Sequence, residues 1–300
     1  MARFRLRCIQ CGGDVPIERA ASSCSCRACG ARYPRRDGII EVTPGLRDED
    51  YPEPLIDLAA AVQDRHFWFA ARNDVIVSTM RRTIGALEGR LALEVGCGTG
   101  AVLPALERAG LNACGIDMHR RALLHARKRT RGPLVWTNAT PLPFFDDFDA
   151  VLLCDVIEHV DDDVALLVEA KRVLKPGGSV VVTVPAGPDL WTAYDDVTGH
   201  KRRYDREGLA KVIGRAGLVV GELSYFNVLP LLAQRLHRRL RAARDTNLDG
   251  VRIVQQALTV PSPPLNTLFR ILMQCEPPLR RLGWRGGSLV AVARPDASMR

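Results

Sequence analysis

The sequence predicts an α/β fold in which an open, mostly parallel sheet carries helices on both faces, preceded by a small cysteine-ligated metal module. Three observations carry this expectation. From Leu91 onward short aliphatic runs alternate with helical stretches, one of those runs passes directly into a glycine-rich turn, and the first 30 residues contain two Cys-x-x-Cys pairs.

The module comes first in the chain. Cys8-x2-Cys11 and Cys26-x2-Cys29 are separated by 14 residues, a spacing suited to four thiolates around one tetrahedral zinc. Cys24 is a spare thiol, but in CRACG a glycine follows the last cysteine, which favours Cys26 as the ligand. So short a unit cannot fold on its core alone, so the metal supplies much of its stability. With four cysteine ligands no coordination position stays open, and the zinc is read as structural. The ribbon is assigned to residues 1–45, after which Asp48–Pro54 reads as a linker and Leu55–Leu87 shows helical spacing at Leu58, Val62, Phe69, Val75 and Met80. Together residues 46–90 make a linker and an N-terminal helical lid.

Beyond Leu91 the alternation runs LALEV, VLPALERAG, NACGID, RALLHARKR, PLVWTN, DAVLLC, VALLVEAKRVL and SVVVTVP, which predicts βαβ units with right-handed crossovers. REGLAKVIGRAG and LVVGELSYF continue the rhythm with a helix and a strand. Residues 227–285 interrupt it as an arginine-rich, proline-punctuated helical insertion before a last strand, SLVAVARP. The third unit therefore spans residues 91–300.

The strand LALEV enters Gly96-Cys97-Gly98-Thr99-Gly100 and then a helix, the place where open α/β sheets bind ligands. Glycines there allow a tight turn and a close backbone approach. Glu94 precedes the turn and Asp117 ends the next strand, where a carboxylate can accept hydrogen bonds from a ribose diol as in Rossmann folds. The third glycine stands one residue too early for the dinucleotide pattern GxGxxG.

LEVGCGTG, GID, TNATPLPFFDDFDAVLLCDVIEHV and RVLKPGGSVVVTVPA, in this order, resemble the class I S-adenosylmethionine-dependent methyltransferases of the type 11/12 group, over roughly Phe67 to Arg294. The resemblance implies a Rossmann-like sheet whose last strand is antiparallel, and S-adenosyl-L-methionine as cofactor. It implies that Glu94, Gly96, Cys97, Gly98 and Gly100 line the methionine and ribose part of that cofactor, that Asp117 holds the ribose hydroxyls and that Met118 packs on adenine. Asn138 and Ala139 stand where the family has Asp-Ala at the adenine edge, and Asp155 falls near the methionine moiety. As side chains, Cys97, Cys114 and Cys154 read as small buried hydrophobes.

Methyl transfer is an in-line displacement, so the protein chiefly aligns the acceptor, and a base is needed only where the acceptor must lose a proton. LWTAYDDVTGHKRRYDREGL resembles the DxxxGHxRRY signature of a subgroup of these enzymes and nominates His200, oriented by Asp195, with His159 of IEHV, as catalytic residues. Trp191, Arg202, Arg203 and Tyr204 are nominated for the substrate. An ion-paired loop capping the next helix is the competing reading of the same stretch. HFWFAARN resembles the N-terminal helix that closes over the cofactor in that subgroup, a resemblance that implies Phe67, Trp68 and Arg72 as lid-lining residues; simple core packing of the aromatics is the competing reading.

The net charge of +8 is concentrated at the C-terminal end, where residues 227–300 hold 12 arginines against four acidic side chains. Such a patch suits an acidic substrate, RNA or an anionic membrane surface, and PLLAQRLHRRLRAAR reads as a basic amphipathic helix able to cover a greasy substrate. No apolar run approaches the roughly 20 residues of a membrane span. The opening residues lack a signal-peptide core, and nine cysteines without one point to the cytoplasm rather than to a disulfide framework. The expected function is methylation of a small molecule: a natural product, a sugar or a lipid-linked intermediate. An RNA methyltransferase is the alternative, favoured by the ribbon and the basic end, and a scaffold that has lost turnover is the third reading.

Overall fold

The computed structural model describes residues 4–18, 21–43, 45–46, 52–232, 250–276 and 284–296. Two short hairpins open the chain: β1 (Arg5–Arg7) pairs antiparallel with β2 (Asp14–Pro16), and β3 (Ser23–Ser25) with β4 (Arg32–Arg36). Each hairpin turn carries one Cys-x-x-Cys pair. β5 (Ile39–Glu41) then pairs antiparallel with β4 on one side and parallel with β8 (Leu134–Trp136) on the other. The ribbon is therefore continuous with the main sheet, where its sequence reads as a self-contained unit. Leu6, Val15, Tyr33 and Ile40 share one buried cluster with Val135, Phe144 and Phe148, and Arg7 donates its N–H to the Pro143 carbonyl.

The main sheet has the order β11-β12-β10-β9-β6-β7-β8-β5-β4-β3. Its parallel centre comprises β6 (Leu91–Val95), β7 (Asn112–Asp117), β8, β9 (Phe148–Cys154) and β10 (Leu174–Pro185). β12 (Ser288–Pro295), the last strand, runs antiparallel between β10 and β11 (Leu218–Phe226). The sheet is mostly parallel with an antiparallel last strand, as the resemblance implies. Every residue of β6 is buried, and its side chains divide between two cores: Leu91, Leu93 and Val95 on one face, Ala92 on the other. This is the two-residue period of a strand covered on both faces.

One face carries α5 (Asp163–Arg172) and α7 (Arg206–Arg215); the other carries α3 (Leu103–Arg108) and α4 (Arg120–Arg127). Asp162 and Asp205 cap α5 and α7 by accepting the N–H of Ala165 and Gly208. The helical stretch read over Leu55–Leu87 divides into α1 (Glu53–Val62) and α2 (Phe67–Ile84). The break arises because Gln63 turns toward Thr99 of the glycine loop, while His66 takes the N-cap of α2 with Nδ1 accepting from Trp68 N. In the insertion the described helices are α8 (Gly250–Ala257) and α9 (Pro263–Gln274), and α9 packs on α2 through Phe269 against Phe67. The basic helix read at 230–244 falls, from residue 233 on, outside the described residues.

Ile40 is 1% exposed where the ribbon joins β8, so Ile40→Ala should cost about 2–5 kcal/mol. Because the ribbon shares its core with the sheet, urea unfolding should stay a single transition with a lower midpoint. A separate early transition, with the main one unmoved, would show that the ribbon folds independently.

Candidate active site

β6 has β9 on one side and β7 on the other, so the connections leave it in opposite directions and open a crevice at the carboxyl ends of the strands. The glycine turn fills that point. A Cβ on Gly96 would lie 2.7 Å from Val156 Cγ2 and one on Gly100 2.9 Å from Ala126 Cα, so both positions exclude a larger residue. At Gly98, φ is +53° and a Cβ would meet nothing within 4 Å, which leaves bare backbone facing open space. Cys97 departs from its expected place as a cofactor contact. Its side chain lies in the core and its N–H is taken by the Ile116 carbonyl, so the turn's geometry, not its thiol, is what matters there.

Asp117 sits at the tip of β7 with Oδ2 accepting from Gly98 N at 2.7 Å and Oδ1 from His119 N at 2.8 Å. The carboxylate thereby braces the turn from the neighbouring strand. Met118 follows it, its carbonyl accepting from Trp136 Nε1, and Asn138 and Ala139 follow β8 along the same strand ends, Asn138 exposed. An open glycine backbone beside a carboxylate on the neighbouring strand fits the sugar and amino-acid parts of S-adenosylmethionine.

Asp155 ends β9 in the left-handed region, φ +57°, and binds Arg72 Nη1 of α2 at 2.5 Å and the Thr183 hydroxyl at 3.1 Å. Arg72 is buried and lies 4.8 Å from the centre of the Trp68 ring. Glu94 is buried below it with Oε2 lacking a hydrogen-bond partner, and burial pushes its carboxyl up to about 8 against the pull of Arg72.

Beside this crevice lies a cavity of about 420 Å³ between α2, the insertion and the loops after β9 and β10. Phe67, Trp68 and Arg72 line it, together with Asp155, Glu158, His159, Tyr194, His200 and Arg203. α6 (Ala193–Val197) organises its floor: Thr192 and Asp195 form a capping box, which fixes the Asp195 carboxylate. Asp195 is 0% exposed and accepts from His200 Nδ1 at 2.8 Å and from Arg203 Nε and Nη2 at 2.7 and 3.0 Å. Although burial alone would raise it, the hydrogen bonds of His200 and Arg203 hold this carboxyl well below the usual range. His159 meets His200 edge to face at 4.8 Å, and burial followed by the charge of His200 lowers its imidazole to about 4.

Three of the residues expected to meet the substrate face elsewhere. Arg202 reaches Asp163 and the Val160 and Asp161 carbonyls, Tyr204 is buried and donates its hydroxyl to Asp163 Oδ2 at 2.7 Å, and Trp191 lies outside the cavity lining with Nε1 on Asp196. For Arg202 and Tyr204 the ion-paired loop is the better description, since their polar ends close the gap to α5. Arg203 does line the cavity, but its guanidinium is committed to Asp195. Sequence reasoning passed over Glu158, which is 0% exposed and lines the cavity with both oxygens lacking a hydrogen-bond partner. Its adjacency to His159 was the available signal.

At the other end of the sheet, the Sγ atoms of Cys8, Cys11, Cys26 and Cys29 all lie within 4.8 Å of one another. The Cys8–Cys29 and Cys11–Cys26 separations are 3.7 and 3.5 Å, near the tetrahedron edge of about 3.8 Å that Zn–S bonds of about 2.3 Å require. Cys24 is buried on β3 beside Arg35, apart from this group.

Residues 93–182 match the family model described as a methyltransferase domain. A ubiquinone biosynthesis O-methyltransferase of Alkalilimnicola ehrlichii is 33% identical over 116 residues, which are 36% of this chain and 47% of that protein. A demethylmenaquinone methyltransferase of Tropheryma whipplei is 40% identical over 117 residues, 37% of this chain and 48% of that protein. The chain thus spans about half the length of the curated relatives it matches. Among solved structures, a protein of Galdieria sulphuraria assigned as a sarcosine dimethylglycine methyltransferase aligns with a TM-score of 0.51 and 16% identity over 75% of this chain and 86% of that one, a likeness of fold.

The state of Glu94 makes a testable prediction. Its folded carboxyl titrates near 8 and its unfolded one near 4.5, so its protonated form stabilises the fold below about 4.5 and that contribution is lost as pH rises through 8. Glu94→Gln keeps the neutral shape and removes the titration. Urea midpoints followed across this interval should fall with rising pH more steeply in the parent protein than in the variant; parallel curves would refute the assignment.

Proposed function

We propose that this chain, which carries a methyltransferase domain of the class I fold, is an S-adenosylmethionine-dependent enzyme that methylates a small, largely apolar acceptor. The observation that carries the reading is the junction at Asp155, where the crevice with the open Gly98 backbone and Asp117 meets a partly open cavity of about 420 Å³. Methylation of quinone precursors by proteins named for ubiquinone and menaquinone pathways supports a small acceptor. So do the side chains of Leu55, Phe67, Trp68, Tyr194, Val254 and Leu258 around the cavity. Natural products and lipid-linked intermediates stay within this class.

Bound S-adenosylmethionine supplies an electrophilic methyl group on a sulfonium. In this reading Asp117 holds the ribose hydroxyls, Gly96, Gly98 and Gly100 give room for the ribose and methionine, and Met118, Asn138 and Ala139 frame the adenine. Arg72 holds Asp155 at the boundary, where a carboxylate favours the nearby cation. Trp68 and Phe67 of α2 exclude water from the acceptor. Asp195 is a positioning residue: it takes the Nδ1 hydrogen of His200 and leaves the Nε2 lone pair to the acceptor's proton or to a cation. The Cys8, Cys11, Cys26 and Cys29 ligands would hold a structural zinc that braces the β5–β8 junction. Three strands separate β5 from β9, so that zinc has no part in the chemistry. Among the described residues no helix is long and apolar enough to cross a membrane.

Calorimetric titration with S-adenosylmethionine and, separately, NAD tests the reading: heat from the former alone is expected, and heat from NAD alone would overturn it. Asp117→Ala should abolish S-adenosylmethionine binding, and retained micromolar affinity would displace that residue from the site. His200→Asn should lower kcat by roughly 100-fold or more while leaving cofactor affinity unchanged. An unchanged rate would remove His200 from the chemistry.

A further inference from the structure

We propose that Asn227 selects the acceptor, its carboxamide oxygen taking a hydrogen bond from a hydroxyl or N–H group at the end of the acceptor remote from the methylated atom. Asn227 lines the cavity, yet its Oδ1 is shielded from solvent and accepts no hydrogen bond among the described residues. A buried carbonyl oxygen without a donor is costly, and a ligand that brings the donor relieves that cost.

The backbone around this residue is tied from several sides. Asn227 stands directly after β11 in the left-handed region, at φ +63°. Its N–H donates to Glu276 Oε2 at 2.9 Å, that of Leu229 donates to Glu276 Oε1 at 3.0 Å, and Glu276 is 0% exposed. The Asn227 carbonyl accepts from Gly287 N at 3.1 Å, so the chain entering the insertion and the chain leaving it meet at this one residue. A Cβ on Gly287 would lie 3.0 Å from Asn227 Nδ2, and one on Gly286 2.0 Å from the Phe226 carbonyl oxygen, so the segment packs against bare backbone. Asparagine is tolerated in the left-handed region because its short side chain can bond the backbone nearby. Here Oδ1 makes no such bond, so conformation alone does not account for the residue.

The position of Asn227 gives the form of the acceptor. β12 is antiparallel to both β11 and β10, and β10 is parallel to β9, so Asn227 and Asp155 leave the sheet at the same carboxyl edge. The order β11-β12-β10-β9 puts three strand intervals, roughly 14 Å, between them. The methylated atom belongs beside Asp155 and the cofactor crevice, and Pro230, Leu231 and Val254 supply apolar lining near Asn227. The acceptor is therefore an elongated, largely apolar molecule whose far end carries a phenol, alcohol or amide N–H. Its identity as an acceptor rests on the methyl-transfer reading above, whereas the binding preference does not.

The test is equilibrium dialysis of the full chain against 2-naphthol and 2-methoxynaphthalene, apolar probes of which only the first donates a hydrogen bond. The parent protein should hold 2-naphthol about tenfold more tightly. Asn227→Gly, which keeps the left-handed backbone accessible and removes the carboxamide, should bring the ratio to about one. Asn227→Asp, which offers only acceptor oxygens, should preserve the preference. Equal binding of the two probes by the parent, binding of neither, or a tenfold preference that survives in Asn227→Gly would overturn the assignment. S-adenosylmethionine titration of the same samples keeps the two readings apart. Cofactor binding without probe discrimination removes the role of Asn227 alone; discrimination that Asn227→Gly abolishes, without cofactor binding, upholds the subsite while removing the methyl-transfer reading.

Discussion

The interaction on which the functional end depends is the burial of one guanidinium among carboxylates. Arg72, from the lid helix α2, is enclosed beside Asp155, with the charges of Glu94 and Glu158 also acting on it or answering to it. A lone buried cation or carboxylate would be expelled or neutralised, so each holds the other in place. The pair thereby locks α2 over the strand ends and keeps Asp155 in its left-handed conformation. Crevice and cavity meet at this ion pair, so one charge arrangement positions both binding regions.

Most of the sheet was legible because its signal is local. LALEV, NACGID and LVVGELSYF are strands over their whole lengths, and the turn after LALEV is where the glycines put it. What sequence could not show was decided by distant partners. The split between α1 and α2 depends on Gln63 reaching a loop 36 residues away, and the docking of β5 on β8 depends on a pairing nearly 100 residues apart. Neither leaves a periodic trace.

The candidate site was legible in its parts and misread in its directions. Asp195 and His200 were paired through the resemblance to the DxxxGHxRRY signature, and the hydrogen bond between them is present. Arg202 and Tyr204 share the same motif, but successive side chains of an extended segment point to opposite sides, and both turn to Asp163. Glu158 was overlooked because its importance lies in its burial without a hydrogen-bond partner, which no residue type announces.

The addition of β5, β4 and β3 to the sheet has a consequence for the molecule's behaviour at high concentration. Without them β8 would end the sheet as an unpaired row of N–H and C=O groups flanked by Leu134 and Val135, a template onto which a second chain could add. The strands that now close this side are poor templates. β4 carries Pro34, which lacks a donor, with Arg32, Arg35 and Arg36 repelling a like partner, and β3 beyond it is three residues long. The cysteine-bearing hairpins therefore act as a seal against fibrous self-association, a duty independent of whatever acceptor the distant cavity receives.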